Sequence, residues 1–481
     1  MSTSLKNKTV KGAGWSAIDN ISQYIISFFV SLILARLLSP EDYGLIGLIT
    51  IFTVISTTII NGGFTSALIR KKNATDKDYN TVFIVNVVVS ILLYFILYIS
   101  APYIAIFFSR TELVALVRVQ SIGLVIASFA IVQRAKLTKK IDFKTQTNIT
   151  VISSILGGII GITCAYLGMR VWALVVYNLS LLCLSTLFLW FFNRWIPNFH
   201  FSKQSFNELF GYSWKLLFSG LLDSVWKEIY QLVIGKFYQP IQLGYFTRAN
   251  QFAALFSSNL TNIVQRVSFP ALSELQDDSI KLKEAYVKVI KLTMLVTFTL
   301  MMGLAAIAEP MIEILIGSKW LPCVPFLQIL CFQMILYPLH AINLNMLQVK
   351  GRSDLFLKLE IYKKIVAVVP LGLGAFVGIY WMLWSSVVTG GISYYLNAFY
   401  SGKFVGYSFI NQVKDILPSF CIAAFMAVCI YLFTMLDWNP FAIITVQLLI
   451  GFVISIILCR VICRQEYNEI LNIICALKKK K

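Results

Sequence analysis

The residues best equipped for chemistry in this sequence interrupt apolar runs. Midway through 211–236, a stretch rich in Leu, Val and Ile, stand Asp223, Trp226, Lys227, Glu228 and Tyr230. Charge at the centre of a membrane span costs roughly 2.5–3.5 kcal/mol on insertion scales, so such a group calls for a reason. Asp223 and Lys227 are four apart, share a helical face and can pair. Trp226 and Tyr230, also four apart, border that face. Aromatic rings beside donors and acceptors suit a sugar, which presents both CH faces and hydroxyls. The same pattern also suits a structural ion pair between helices, with Glu228 on another face.

Arg248 falls about one turn into the next apolar segment, in YFTRANQF (245–252). Its guanidinium can hold a pyrophosphate through charge-assisted, bidentate hydrogen bonds, or can snorkel to the outer interface. Arg118 offers the same alternatives. Ser16, Asp19, Asn20, Gln23 and Ser27 form a polar stripe in the first segment, either cavity-facing or bonded to neighbouring helices. Asp19, Asp223 and Glu228 are candidates to take a coupling proton or Na⁺. His340, beside Pro338, is either a satisfied core histidine or a proton relay. The nine cysteines show no metal spacing, and Cys164, Cys183, Cys421 and Cys429 inside apolar runs, with Cys459 and Cys463 at the end of the last, read as small buried hydrophobes. No phosphate-binding loop is present, because Gly235-Lys236 and Gly402-Lys403 are each followed by Phe. We therefore expect no metal, no cofactor and no ATP-driven step.

The elements that position these residues are set by the solvent. The chain has 481 residues, 58% apolar and 13% charged, against about 45–50% and about 25% for soluble domains. Only a bilayer can accept that much apolar surface. A hydrocarbon core about 30 Å thick needs roughly 20 apolar helical residues, and about fourteen segments qualify. They are 16–38, 43–66, 80–102, 112–132, 148–168, 171–192, 211–236, 242–265, 286–308, 322–347, 359–379, 381–400, 416–436 and 440–463. The excess of 41 Lys+Arg over 22 Asp+Glu would suggest nucleic acid in a soluble chain. Here it marks orientation: one set of alternating loops carries about 32 basic residues and the other about 5, which puts the first set and both termini in the cytoplasm. The first helix, preceded by Lys6, Lys8 and Lys11, should act as its own insertion signal. The outer loops are short and leave little room for a catalytic domain.

An internal repeat appears when Pro40 is laid on Pro240. LARLLSPEDYGL (34–45) then falls on IGKFYQPIQLGY (234–245), Gly44 on Gly244 and Arg36 on Lys236. Each copy ends an apolar helix with a base, turns at Pro and re-enters at Gly. Six spans per copy give copies of one topology, related by an axis along the membrane normal. The expected architecture is all-α integral membrane: an N-terminal six-helix lobe (1–200), a C-terminal six-helix lobe (201–402) around a central cavity, and two extra helices with a basic tail (403–481).

KTVKGAGWSAI (8–18), LARLLSPEDYGL and Ala67-Leu68-Ile69-Arg70-Lys71 together resemble the N-terminus of Wzx-type polysaccharide flippases, most of all the colanic-acid-exporter branch. The loop from Gln133-Arg134-Ala135-Lys136 to Ile141-Asp142-Phe143-Lys144 is similar to that branch too. The resemblance implies the multidrug/oligosaccharidyl-lipid/polysaccharide exporter fold, alternating access, and an undecaprenyl-pyrophosphate-linked glycan as cargo. In that scheme Arg248, Lys227 and Arg118 hold the pyrophosphate while Trp226 and Tyr230 shield sugar. Membrane lipid, a coupling H⁺ or Na⁺ and polysaccharide polymerase machinery complete the expected partners, with no nucleic acid, in the bacterial cytoplasmic membrane. The alternatives are an ion-coupled multidrug or small-molecule exporter of the same fold, and a membrane polymerase or ligase.

Overall fold

A computed structural model describes residues 15, 22–71, 73–193, 195–198 and 200–479. Every regular element among them is helical. In chain order these are α1 (Ser22–Leu37), then α2 (Pro40–Asn61), α3 (Phe64–Arg70), α4 (Asp76–Phe108), α5 (Leu113–Gln120), α6 (Ile122–Lys139), α7 (Phe143–Tyr166) and α8 (Val171–Asn193). There follow α9 (Lys203–Phe237), α10 (Pro240–Glu274), α11 (Ser279–Ala306), α12 (Ala308–Ile316), α13 (Val324–Met334), α14 (Tyr337–Val349), α15 (Ser353–Val366), α16 (Val368–Phe376), α17 (Ile379–Val405), α18 (Phe409–Tyr431), α19 (Pro440–Ile462) and α20 (Arg464–Lys479).

Local chemistry sets the boundaries. Ser39 and Asp42 form a capping box at the start of α2, with Pro40 at its first position. Thr75 and Asp78 do the same for α4. Ser202, Asp278 and Ser408 each accept a backbone N–H at the start of α9, α11 and α18. Between α2 and α3 the chain breaks at Gly62 and Gly63, both left-handed at φ 48° and 73°, a conformation that costs a β-carbon-bearing residue dearly.

Among the described residues, nine segments are long and apolar enough to cross a membrane: Pro40–Arg70, Asp76–Phe108, Leu113–Lys139, Phe143–Tyr166, Val171–Asn193, Ser279–Ala306, Ser318–Val349, Phe409–Met435 and Pro440–Ile462. Helices α9 and α10 have the length, at 35 residues each, but carry more polar side chains. Outward apolar groups such as Ile106 (74% exposed) and Phe191 (72%) fit lipid and would be costly in water.

Two compact units divide the chain, Met1–Gly244 and Tyr245–Lys481. In the first, α9 packs along α2, α3 and α4, and α8 packs on α6 and α7. An aromatic cluster forms part of its core, with Phe83 centred 5.7–6.0 Å from Phe129, Trp190 and Trp195. The Gly157 and Gly161 pair lies directly against Leu181 and Tyr177 of α8, so these glycines serve close packing.

The second unit is keyed by a buried polar hub. Asn343 Oδ1 on α14 accepts from Tyr286 of α11 at 2.6 Å, Ser401 of α17 at 2.5 Å and Gln412 of α18 at 3.3 Å. His340 sits beside it, its Nδ1 3.2 Å from the Asn397 amide nitrogen. Toward α20, Asp415 accepts from the Tyr407 hydroxyl at 2.6 Å and faces Lys291, which also meets Glu466.

Candidate functional site

Helix α9 presents three faces, which its periodicity of 100° per residue separates. Ser213, Gly220, Ser224 and Gly235 occupy an arc of about 60° turned to the α2 side: the Ser224 and Thr58 hydroxyls lie 2.8 Å apart, and Gly235 abuts Leu48. Phe218, Leu222 and Val225 form an exposed apolar arc. Asp223, Trp226, Lys227 and Tyr230 fall within a third arc about 100° wide. Asp223 and Lys227 are exposed there, with Trp226 and Tyr230 half-buried. The polar groups are thus held off the apolar face that suits lipid. Glu228 lies outside this arc and accepts from the Gln231 amide.

The break at Gly62–Gly63 shapes a second feature that the sequence reading did not single out. Irregular backbone at membrane depth is tolerated where it lines a cavity, and a cavity of about 210 Å³ opens here. Its polar lining is Thr57, Asn61, Thr65, Arg134, Ser185 and Thr186, drawn from α2, α3, α6 and α8. Asn61 and Arg134 are exposed at its edge, while Ser185 and Thr186 are buried. The available signal was Asn-Gly-Gly inside an otherwise apolar run. Behind the recess, α9 presses on the break: a Cβ on Gly63 would lie 2.9 Å from the Ser213 carbonyl oxygen.

In the second unit Arg248 is 4% exposed. One guanidinium nitrogen donates to Gln251 Oε1 at 2.6 Å, and the group lies 5.8 Å from the Trp320 ring centroid. Tyr245 meets the same indole edge-on at 6.2 Å. Arg248, Gln251, Ser258, Asn262 and Arg266 fall within an arc of about 80° that runs about 27 Å along α10. Arg266 lies exposed at the far end of this stripe.

Arg118 is drawn elsewhere. Its Nε donates to the Tyr98 carbonyl at 3.3 Å and its guanidinium lies 4.2 Å over the Tyr98 ring, so α5 and α4 share it. Asp19, with Ser16 and Asn20, lies outside the described residues. Among the described residues no group of three or more His, Cys, Asp or Glu gathers as a metal site.

Long apolar helices, with polar faces on α9 and α10 and a polar recess at a helix break, define an integral membrane protein. Residues 33–325 match the family described as polysaccharide biosynthesis protein, and the chain belongs to that family. It is 28% identical to the teichuronic acid biosynthesis protein TuaB of Bacillus subtilis (strain 168) over 73% of each chain. It is 26% identical to the succinoglycan biosynthesis transport protein ExoT of Rhizobium meliloti (strain 1021), over 69% of this chain and 67% of that one. Its fold is similar to that of the lipid II flippase MurJ in an inward closed conformation, with a TM-score of 0.72 and 18% identity over 93% of this chain and 98% of that chain. The chain is thus a membrane-spanning member of the polysaccharide biosynthesis protein family with the multidrug/oligosaccharidyl-lipid/polysaccharide exporter fold, as the residue-level resemblance implied.

Proposed function

We propose that the protein flips an undecaprenyl-pyrophosphate-linked oligosaccharide repeat unit from the inner to the outer leaflet of the bacterial cytoplasmic membrane. The observation that carries this is the polar arc of α9, set apart from its exposed apolar arc and pairing a cation, Lys227, with the rings of Trp226 and Tyr230. Arg248 and Lys227 hold the pyrophosphate, the rings cover sugar, and the polyprenyl tail stays in lipid. Two lobes, 1–200 and 201–402, exchange access with both termini cytoplasmic, and Asp223 or Glu228 takes any coupling ion. The relatives' names, which place them in teichuronic acid biosynthesis and succinoglycan transport, support a glycan cargo over a drug. An outer-leaflet polymerase or ligase is the rival.

The test is reconstitution into proteoliposomes with a defined lipid-linked glycan, with and without an ion gradient. Protein-dependent appearance of glycan on the opposite leaflet is expected. In cells lacking the protein, complete repeat units should accumulate on the inner leaflet, and accumulation on the outer leaflet would point to the polymerase.

A further inference from the structure

We propose that the recess at the Gly62–Gly63 break is a subsite for one sugar ring carrying an anionic substituent, either a carboxylate or a phosphate at the reducing end. This deepens the lipid-linked glycan proposal and rests on it.

Arg134 is the one charged group among the described lining residues. A guanidinium presents donors and no acceptor, so an anion suits it and a cation does not. The hydroxyls show the opposite polarity. Thr57 Oγ1 donates to the Val54 carbonyl at 2.9 Å, Ser185 Oγ to Leu182 at 3.0 Å and Thr186 Oγ1 to Ile126 at 3.3 Å. Each of these three hydroxyls has one proton and has spent it, leaving lone pairs for a ligand. Inorganic phosphate would bring only one or two O–H donors to those lone pairs. A sugar ring brings several O–H donors to them and leaves its anionic substituent for Arg134. Ile60 and Leu182 complete the lining with apolar surface that suits ring CH groups. The volume, about 210 Å³, equals about seven waters at ~30 Å³ each, space on the scale of one ring rather than a chain of them.

The experiment is isothermal titration of the purified full-length protein in lipid nanodiscs with four probes: glucuronate, glucose 1-phosphate, glucose and inorganic phosphate. At least one anionic sugar should bind about tenfold or more tighter than both glucose and inorganic phosphate, the scale of a charge-assisted contact. Whichever anionic sugar binds tighter identifies the source of the charge. Arg134→Gln should reduce that sugar to the level of glucose. Thr57→Val, which keeps the side-chain shape, should weaken every sugar by a smaller factor with an unchanged unfolding temperature. The proposal is overturned if the anionic sugars bind no better than glucose, if inorganic phosphate alone binds as tightly, or if Arg134→Gln binds like the wild type. Titration does not require transport, so the subsite can fail while wild-type proteoliposomes still flip glycan. A wild type that flips nothing defeats the broader proposal instead.

Discussion

The carbonyl oxygen of Pro240 lies so close to Gly44 that a Cβ on Gly44 would stand 1.8 Å from it. The contact is reciprocal, with a Cβ on Gly244 falling 1.9 Å from the Pro40 carbonyl oxygen. The first turns of α2 and α10 therefore touch backbone to backbone, through the four residues that define the sequence repeat.

Alanine at either glycine should consequently do harm. In an unobstructed helix Gly→Ala stabilises by about 0.5–1 kcal/mol. At Gly44 the obstructing atoms are backbone and cannot rotate away, so we expect Gly44→Ala to cost at least about 1–3 kcal/mol. Gly211, with nothing within 4 Å of its would-be Cβ, is the control and should tolerate Ala. Thermal unfolding of the detergent-purified variants measures both, and a Gly44→Ala protein as stable as wild type would refute the contact.

Lys71 ties α4 to α9, meeting Asp78 at 3.0 Å and Glu208 at 2.9 Å. Asp78 is 1% exposed on its side chain and Glu208 56%, so the two halves of the bridge are unequal. Lys71→Met, which leaves the buried carboxylate its capping bonds from Thr75 but takes away its cation, should cost roughly 1–3 kcal/mol, whereas Glu208→Gln should cost less than about 1 kcal/mol. Burial alone would push the Lys71 amine down, but Glu208 and Asp78 outweigh it and hold it above the ordinary 10.5. A raised amine stabilises fully below its unfolded value, so this contribution persists through neutral pH. It fades only as pH climbs from the ordinary value through the higher folded one. The gap in unfolding temperature between wild type and Lys71→Met should stay constant from pH 7 to 10 and begin to narrow only above the ordinary 10.5.

Lys227 and Arg248 test the transport assignment from two environments. Lys227 is exposed, so Lys227→Ala should leave stability within about 0.5 kcal/mol while lowering glycan flipping. Arg248 is buried against Trp320, so Arg248→Ala loses packing as well as charge. Arg248→Lys keeps the charge but not the fork and should fall between wild type and Ala. Flipping rates per correctly inserted molecule supply the comparison, and normal rates in both alanine variants would dismiss the assignment.

Arg118 supplies the contrasting case. With its guanidinium engaged by Tyr98, Arg118→Gln should change unfolding temperature modestly and leave flipping intact. A selective loss of flipping at unchanged stability would return Arg118 to the cargo path.

Much of this was readable from residue types alone. Hydropathy marks the apolar spans because lipid admits little else. Pro40/Pro240 and Gly44/Gly244 expose the repeat because a Pro-turn and a close approach each restrict the residue that can serve. The grouping of Asp223, Trp226, Lys227 and Tyr230 followed from helical spacing. What stayed hidden depended on depth and on neighbours distant in sequence. A tally of loop cations does not show that Arg134 edges a recess or that Arg266 continues the polar stripe of α10. Arg118 hid its partner, since Tyr98 lies on another helix. The recess was missed because 43–66 reads as one apolar span, in which Asn61-Gly62-Gly63 does not by itself show that the helix breaks or that α6 and α8 close around the break.

The hub on Asn343 carries a practical consequence for protein engineering. One amide oxygen collects donors from α11, α17 and α18, and removing it would leave each of the three only its second acceptor, at 3.1–3.4 Å, in a buried interior. Single-helix swaps between homologues at this point should fail, while grafts that transplant α11, α14, α17 and α18 as a block can carry a new interior intact. Chimeras meant to exchange glycan specificity should therefore place their junctions outside that quartet.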